Sequence, residues 1–246
     1  MSSRARPSVL FCGRVVVALA LAGAVLPCAA QSIFNPATDF SAASNPGGVW
    51  SYGYANFPGP LTLFPLTSTF GSASVPAWRN SEIFPNSYPV AFYNASGAPV
   101  VYSGSLTLPT GQLGLHPGDV GAAVARLTLP AGGTFLLNAV FVGIESDGGG
   151  TTTDAHVYVN GTSVFDGTIS GLGSTATFSN YQFTASAGWF VDFVVGSGGN
   201  GVTSDTTGLA ASVVAVPEPQ AFAGGIALVV LGFAVARRKN GKAPHA

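Results

Sequence analysis

Charge is scarce in this sequence. Asp, Glu, Lys and Arg together make up 8% of the 246 residues, against roughly 25% in an average soluble domain. Seven of the 9 basic residues sit near the termini, as Arg4, Arg6, Arg14, Arg237, Arg238, Lys239 and Lys242. Between Gln31 and Val216 only Arg79 and Arg126 remain as bases. They stand against Asp39, Glu82, Asp119, Glu145, Asp147, Asp154, Asp166, Asp192 and Asp205, a net charge of −7. Such a surface repels a phosphate backbone, so nucleic acid is not an expected partner.

Cysteine is nearly absent. Cys12 and Cys28 are the only two, and both lie in a segment that reads as processed. The chain beyond residue 30 therefore has no disulfide, no Cys-ligated zinc and no Cys nucleophile. Its stability has to come from an apolar core, which more than 180 residues can supply. Long helices are also lacking as a signal, because 33 Gly and 17 Pro interrupt the pattern. No internal repeat, domain-separating linker, phosphate-binding loop, dinucleotide fingerprint, zinc-protease helix or Ser-centred elbow is present.

The two ends read as sorting segments. Three arginines precede the apolar run VVVALALAGAVL, residues 15–26, and PCAAQ follows with small residues at Cys28 and Ala30. This is a signal-peptide pattern over residues 1–30, cut by signal peptidase before Gln31. Pro27 argues against lipidation of Cys28. At the other end, residues 216–246 read VPEPQAFAGGIALVVLGFAVARRKNGKAPHA. Pro217 and Pro219 flank Glu218 and keep the backbone extended there. Residues 221–236 carry no charge and would span about 24 Å as a helix, slightly short of a ~30 Å hydrocarbon core. Arg237, Arg238 and Lys239 then form a basic stop that stays cytoplasmic and leaves the large domain outside.

The order Pro-Glu-Pro, short apolar helix and basic end resembles the PEP-CTERM sorting signal of Gram-negative bacteria. The resemblance covers Val216, Pro217, Glu218 and Pro219 through Lys239. It implies recognition by exosortase, a membrane-embedded cysteine protease, cleavage near Pro-Glu-Pro, and release to the cell surface or matrix. It also implies an association with exopolysaccharide. Before processing, the tail is a membrane anchor.

Residues 31–215 read as one all-β domain. Turn signals recur at short intervals (NPGG, FPGP, NASGAP, HPGD, PAGG, SDGGG, VNG, GSGGNG) between runs rich in Val, Phe, Thr and Tyr, which predicts about ten strands in a sandwich or barrel. In one run Ala123, Ala125, Leu127 and Leu129 take one face while Arg126 and Thr128 take the other. In another, Ala155, Val157 and Val159 oppose Asp154, His156, Tyr158 and Asn160. Asn160-Gly161 then predicts a tight hairpin returning through residues 164–169. Residues 134–144 and 189–195 are apolar on both faces and predict central strands covered twice. Residues 41–70 are expected to be irregular or to carry two edge strands, and residues 202–214 the last strand. GVWSYGY, LHPG, TTTDAHVYVNG and SDTTGL resemble a recurring domain of exported PEP-CTERM proteins. That resemblance implies a jelly-roll-like β-sandwich of the carbohydrate-binding-module type.

Candidate site residues follow from chemistry. Sugar rings stack on aromatic faces, and nearby polar groups bind their hydroxyls. Trp50, Tyr52 and Tyr54 alternate along one strand and would share a face, and Tyr158 lies among polar groups. The bland alternative places most aromatics in the core, Trp50 and Trp189 first. Glu145, Asp147, Asp154 and Asp205 are candidate oxygen ligands for a structural Ca²⁺, with a solvated strand face as the simpler reading. His116 is of a type that serves as base or metal ligand. With no nucleophile or second His at a diagnostic spacing, it reads as a turn cap. Asn94 and Asn160 open glycosylation sequons, and Asn160 is better explained by its turn. A non-catalytic, exopolysaccharide-associated surface protein is the leading expectation. A purely structural matrix or adhesion component is the alternative. A hydrolase would need Glu82, Glu145 or Asp192 to face one another.

Overall fold

The computed structural model describes residues 31–70, 75–80, 88–102 and 104–217. The signal-peptide pattern, Glu82, Glu218, Pro219, the apolar tail and its basic stop lie outside the described residues. Sixteen described strands carry the fold. In chain order they are β1 (Ile33–Phe34), β2 (Trp50–Ala55), β3 (Thr62–Leu63), β4 (Leu66–Thr69), β5 (Pro76–Arg79), β6 (Val90–Tyr93), β7 (Val100–Tyr102) and β8 (Leu106–Leu108). They continue as β9 (Leu113–His116), β10 (Ala122–Thr128), β11 (Gly133–Gly143), β12 (Thr152–Val159), β13 (Thr162–Ser170), β14 (Thr175–Ala185), β15 (Phe190–Gly196) and β16 (Thr207–Val216). A single 3₁₀ turn, Asp147–Gly149, is the only helical element among them.

The strands form two antiparallel sheets and one covering hairpin. The eight-stranded sheet runs β14-β11-β16-β9-β6-β5-β4, with β1 beside the far end of β16. The six-stranded sheet runs β13-β12-β15-β10-β2-β3. Consecutive strands β9 to β12 alternate between the sheets, as do β15 and β16, so the chain wraps one core. Inward residues of both sheets fill it, among them Trp50, Tyr52, Leu127, Leu137, Phe141, Val157, Phe193 and Val213. Hairpin β7–β8 covers a second cluster on the outer face of the larger sheet, where Phe92 stacks on Phe70 at 4.2 Å.

The alternations hold where period two met one buried face. Ala123, Ala125 and Leu127 point into the core, as do Ala155, Val157 and Val159. Asn160 and Gly161 both have positive φ, 48° and 82°, the geometry of a tight two-residue hairpin. β15 is buried on both faces, as its apolar run predicts. Two expectations change. β11 is central, between β14 and β16, but its outer face is only half-buried. Trp189 is not core: it sits in the turn before β15, 36% exposed. Residues 41–70 do hold two edge strands, β3 and β4, and in addition the interior strand β2.

The start of β12 and the start of β16 are joined by hydroxyls. Thr151 Oγ1 donates to the Thr206 carbonyl at 3.0 Å. The hydroxyls of Thr153 and Thr207 share a hydrogen bond of 2.8 Å. Thr152 donates from both N and Oγ1 to Asp205 Oδ1, and Thr206 Oγ1 donates to Glu145 Oε2 at 2.5 Å. The TTTD and SDTTGL runs are therefore partners. Each supplies partners for most of the other's buried polar atoms, Asp205 Oδ2 being the exception.

Candidate functional site

The outer face of the six-stranded sheet carries an open groove of about 430 Å³. Its floor is apolar, because Ala122, Val124, Val194 and Ala55 point outward from β10, β15 and β2. Its polar wall comes from β12, whose pleat sends Asp154, His156 and Tyr158 to this face. Phe57, from the loop after β2, stacks on Tyr158 with ring centroids 4.8 Å apart. Asn56, Asp119 and the Gly196–Gly199 turn complete the lining.

His156 is held between two carboxylates. Its Nε2 lies 2.8 Å from Asp154 Oδ2 and its Nδ1 2.5 Å from Asp166 Oδ1. Neither oxygen can donate when ionised, so the ring binds both best as an imidazolium with two N–H donors. The bond to Asp154 is the largest cause of an upward shift in the His156 pKa, against the effect of burial. The same bond holds the Asp154 carboxyl down at about 2. Asp166 is also lowered, by His156 and by the Ser163 hydroxyl that donates to its Oδ2 at 2.9 Å. Burial is the main cause of an upward shift at Tyr158, helped by Asp166 and Asp154. The groove therefore carries carboxylates with an imidazole ring fixed between two of them.

Asp154 has been given room. Gly196 lies directly opposite it on β15, and a Cβ at Gly196 would meet Asp154 Oδ1 at 2.3 Å. Gly198 N donates to the same oxygen at 2.8 Å. The GSGGNG run thus serves as a backbone cradle for this carboxylate.

Asp166 was not among the residues singled out from sequence. A two-residue turn at Asn160-Gly161 pairs Val159 with Thr162 and Tyr158 with Ser163, and straight counting would then set Phe165 opposite His156. A bulge between Val157 and Tyr158 shifts the register by one, so Asp166 faces His156 instead. Such a slip exchanges the two faces of a strand.

The other candidates separate. Trp50 and Tyr52 share a face, but it is the inner one. Each is 1% exposed, with Trp50 Nε1 donating to Asp39 Oδ2 and Tyr52 Oη to the Pro36 carbonyl. Neither offers a ring to a sugar. Tyr54 is half-buried and stacks on Phe64 at 5.9 Å. Of the four aromatic candidates, Tyr158 alone stands in the groove. The proposed Ca²⁺ ligands do not gather either. Glu145 and Asp147 line a separate cavity of about 240 Å³, Asp154 lies in the groove, and Asp205 is buried against Thr152. Among the described residues no three His, Asp or Glu side chains are grouped to hold a metal. Only Asp154 of the four stands on a strand; Glu145, Asp147 and Asp205 lie in the connections before β12 and β16, whose paths loop composition does not reveal.

His116 bonds its neighbour's carbonyl and lines the same cavity as Glu145 and Asp147. Its Nδ1 is 2.6 Å from the Pro117 carbonyl, which can only accept, so Nδ1 carries the proton. Burial pushes its pKa down, and Asp119 is exposed. Asp192 is bonded to Arg126 on the smaller sheet and does not share the Glu145 cavity.

No protein-family model matches the chain, and no curated protein matches it. Solved structures give partial likenesses. CBM51 from Clostridium perfringens GH95, in complex with methyl-galactose, is 14% identical over 62% of this chain and 94% of that one, at a TM-score of 0.34. CBM51-2 with the INT domains of C. perfringens ZmpB, in complex with GlcNAc, is 13% identical over 67% and 47%, at 0.35. The GH26-CBM35 β-(1,4)-mannanase of Podospora anserina is 13% identical over 53% and 28%, at 0.30. Likeness at this level assigns no ligand to this chain.

Proposed function

We propose that this is an exported, non-catalytic surface or matrix protein whose jelly-roll-like sandwich holds a neutral exopolysaccharide in the outer groove of the six-stranded sheet. One observation carries the reading. The groove sets the Phe57–Tyr158 ring pair beside Asp154, His156 and Asn56, a stacking platform next to hydroxyl partners. The carboxylates and the absence of any Lys or Arg in the lining disfavour acidic sugars. His156 is poorly placed to act as a general base, because both its nitrogens are engaged by carboxylates and none is left to take a proton from an attacking hydroxyl.

The test is retention on insoluble neutral polysaccharide, competed by soluble oligosaccharide. Replacing Tyr158 with Ala is expected to weaken binding about tenfold, near 1.4 kcal/mol, through loss of stacking. Unchanged retention of Y158A would remove the groove from the reading. The sorting half of the proposal rests on the tail sequence. Mass spectrometry of protein taken from the native envelope should show loss of the segment before about Gln31 and of everything beyond about Pro219. An intact 221–236 segment in mature material would leave a plain membrane anchor.

One observation favours the structural-assembly alternative. β14 forms an edge of the larger sheet for 11 residues, TATFSNYQFTA, without a single charge, and such an edge is a template for another strand. Retention that no soluble sugar competes would support it.

A further inference from the structure

The sandwich has unlike ends. Strand registers place the close of β16, the start of β11, the end of β14 and β1 at one end: Val216 pairs with Thr134, Gly133 with Ala185, and Val214 with Ile33. The 186–189 turn joins them through Leu129, whose N–H and carbonyl bond Trp189 and Gly188 at 2.8 Å each. What projects here is uncharged. Ile33 is 61% exposed and Trp189 36%, and Pro130, Ala131, Gly132, Ser186, Ala187 and Gly188 are exposed beside them. Among the described residues, Asp39 is bonded to Trp50 at the start of β2, and Asp192, three residues after Trp189, is buried against Arg126. The opposite end carries Asp119, Glu145, Asp147, Asp154 and Asp205, at the starts of β10, β12 and β16 and after the end of β11.

The uncharged end is the one from which the chain leaves for its tail. β16 stays hydrogen-bonded to Val216, and the charge-free run begins at Ala221. Residues 217–220 reach at most about 14 Å when extended. The polar zone on each side of the hydrocarbon is only about 5–8 Å thick. If the tail spans, as the sorting reading requires, this end is tethered within reach of the headgroups. Trp is the side chain best suited to that layer, because its ring is apolar and its N–H wet.

We propose that, while the tail is attached, the sandwich seats this uncharged end on the lipid surface, with Trp189 and Ile33 entering the headgroup layer and the acidic end held away from the membrane. The proposal rests on the tail reading and adds a contact the tail alone does not require.

The experiment uses the full chain in phosphatidylcholine–phosphatidylglycerol vesicles, with part of the lipid brominated near the top of its acyl chains. Trp50 and Trp78 are buried, so contact quenching reports Trp189. Vesicle flotation is measured on the same samples. The expected result is flotation together with loss of the Trp189 emission, and no such loss in W189F. Flotation with unquenched Trp189 would overturn the docking while leaving the anchored tail intact. Failure to float would overturn both.

Discussion

Replacing Arg126 with Ala is expected to cost about 3–5 kcal/mol of unfolding free energy. Arg126 and Asp192 face each other across β10 and β15, two interior strands of the six-stranded sheet. The pair is bidentate, with Nε to Oδ1 at 2.6 Å and Nη2 to Oδ2 at 2.8 Å. The Asp192 side chain is 1% exposed, and burial raises its pKa against the opposing pull of Arg126. The guanidinium also lies 3.9 Å over the Phe190 ring. Removing it strands a carboxylate that water cannot reach and uncovers the ring. Lys restores charge but neither the fork nor the stacking, so R126K should recover only part of the loss. The paired change of Arg126 to Met and Asp192 to Leu should be close to neutral, because no buried charge is left alone. Urea unfolding of the three variants checks this. A loss below about 1 kcal/mol for R126A would mean that the buried pair contributes little.

Asp205 gives the second large effect, with the opposite sign. Its side chain is buried, Oδ1 accepts two bonds from Thr152, and Oδ2 has no partner. Burial is the main reason its pKa rises to about 6, with Glu145 and Asp154 adding like charge and the Thr152 bonds opposing. An unfolded Asp titrates near 3.9. The folded protein therefore holds a proton that the unfolded chain has lost, between about pH 4 and pH 6. The stabilising contribution is complete below that window, falls as pH rises through it, and is gone above it. Asn at this position removes the titration and the stranded charge. D205N should gain about 1–3 kcal/mol over the native protein at pH 7 and nothing at pH 4. Comparing the two proteins at each pH cancels Asp154, whose depressed pKa makes it lose stability only as pH falls from about 4 towards 2. A difference that does not change between pH 4 and pH 7 would show that Asp205 is ionised throughout.

The two acids contrast because of what stands opposite them. Asp192 faces a guanidinium on its neighbour strand and keeps its charge at a manageable cost. Asp205 faces the hydroxyl and amide of one threonine, which bind a single oxygen. Neither partner is close in sequence: Arg126 is 66 residues from Asp192, and Thr152 is 53 from Asp205. Both residues look alike in the sequence, single acids in apolar or Gly-rich surroundings.

Local pattern alone determined much of this protein. Period-two alternation fixed which side chains of β10 and β12 are inward, because a half-buried strand has only two faces to assign. The Asn160-Gly161 turn was legible because few residue pairs accept positive φ at both positions. Counting leaves no cysteine beyond residue 30, while the sorting reading of the tail rests on contiguous sequence that, beyond Pro217, lies outside the described residues. Tertiary structure alone decided the rest. Whether the Trp50–Tyr52–Tyr54 face looked in or out depended on which sheet covered it. Asp166 joined the groove through one bulge, and Asp205 met Thr152 because β12 and β16 begin at the same end of the sandwich. Each of these is a pairing between distant segments, set by register and sheet order, and neither quantity is a function of the residues' immediate neighbours in the chain.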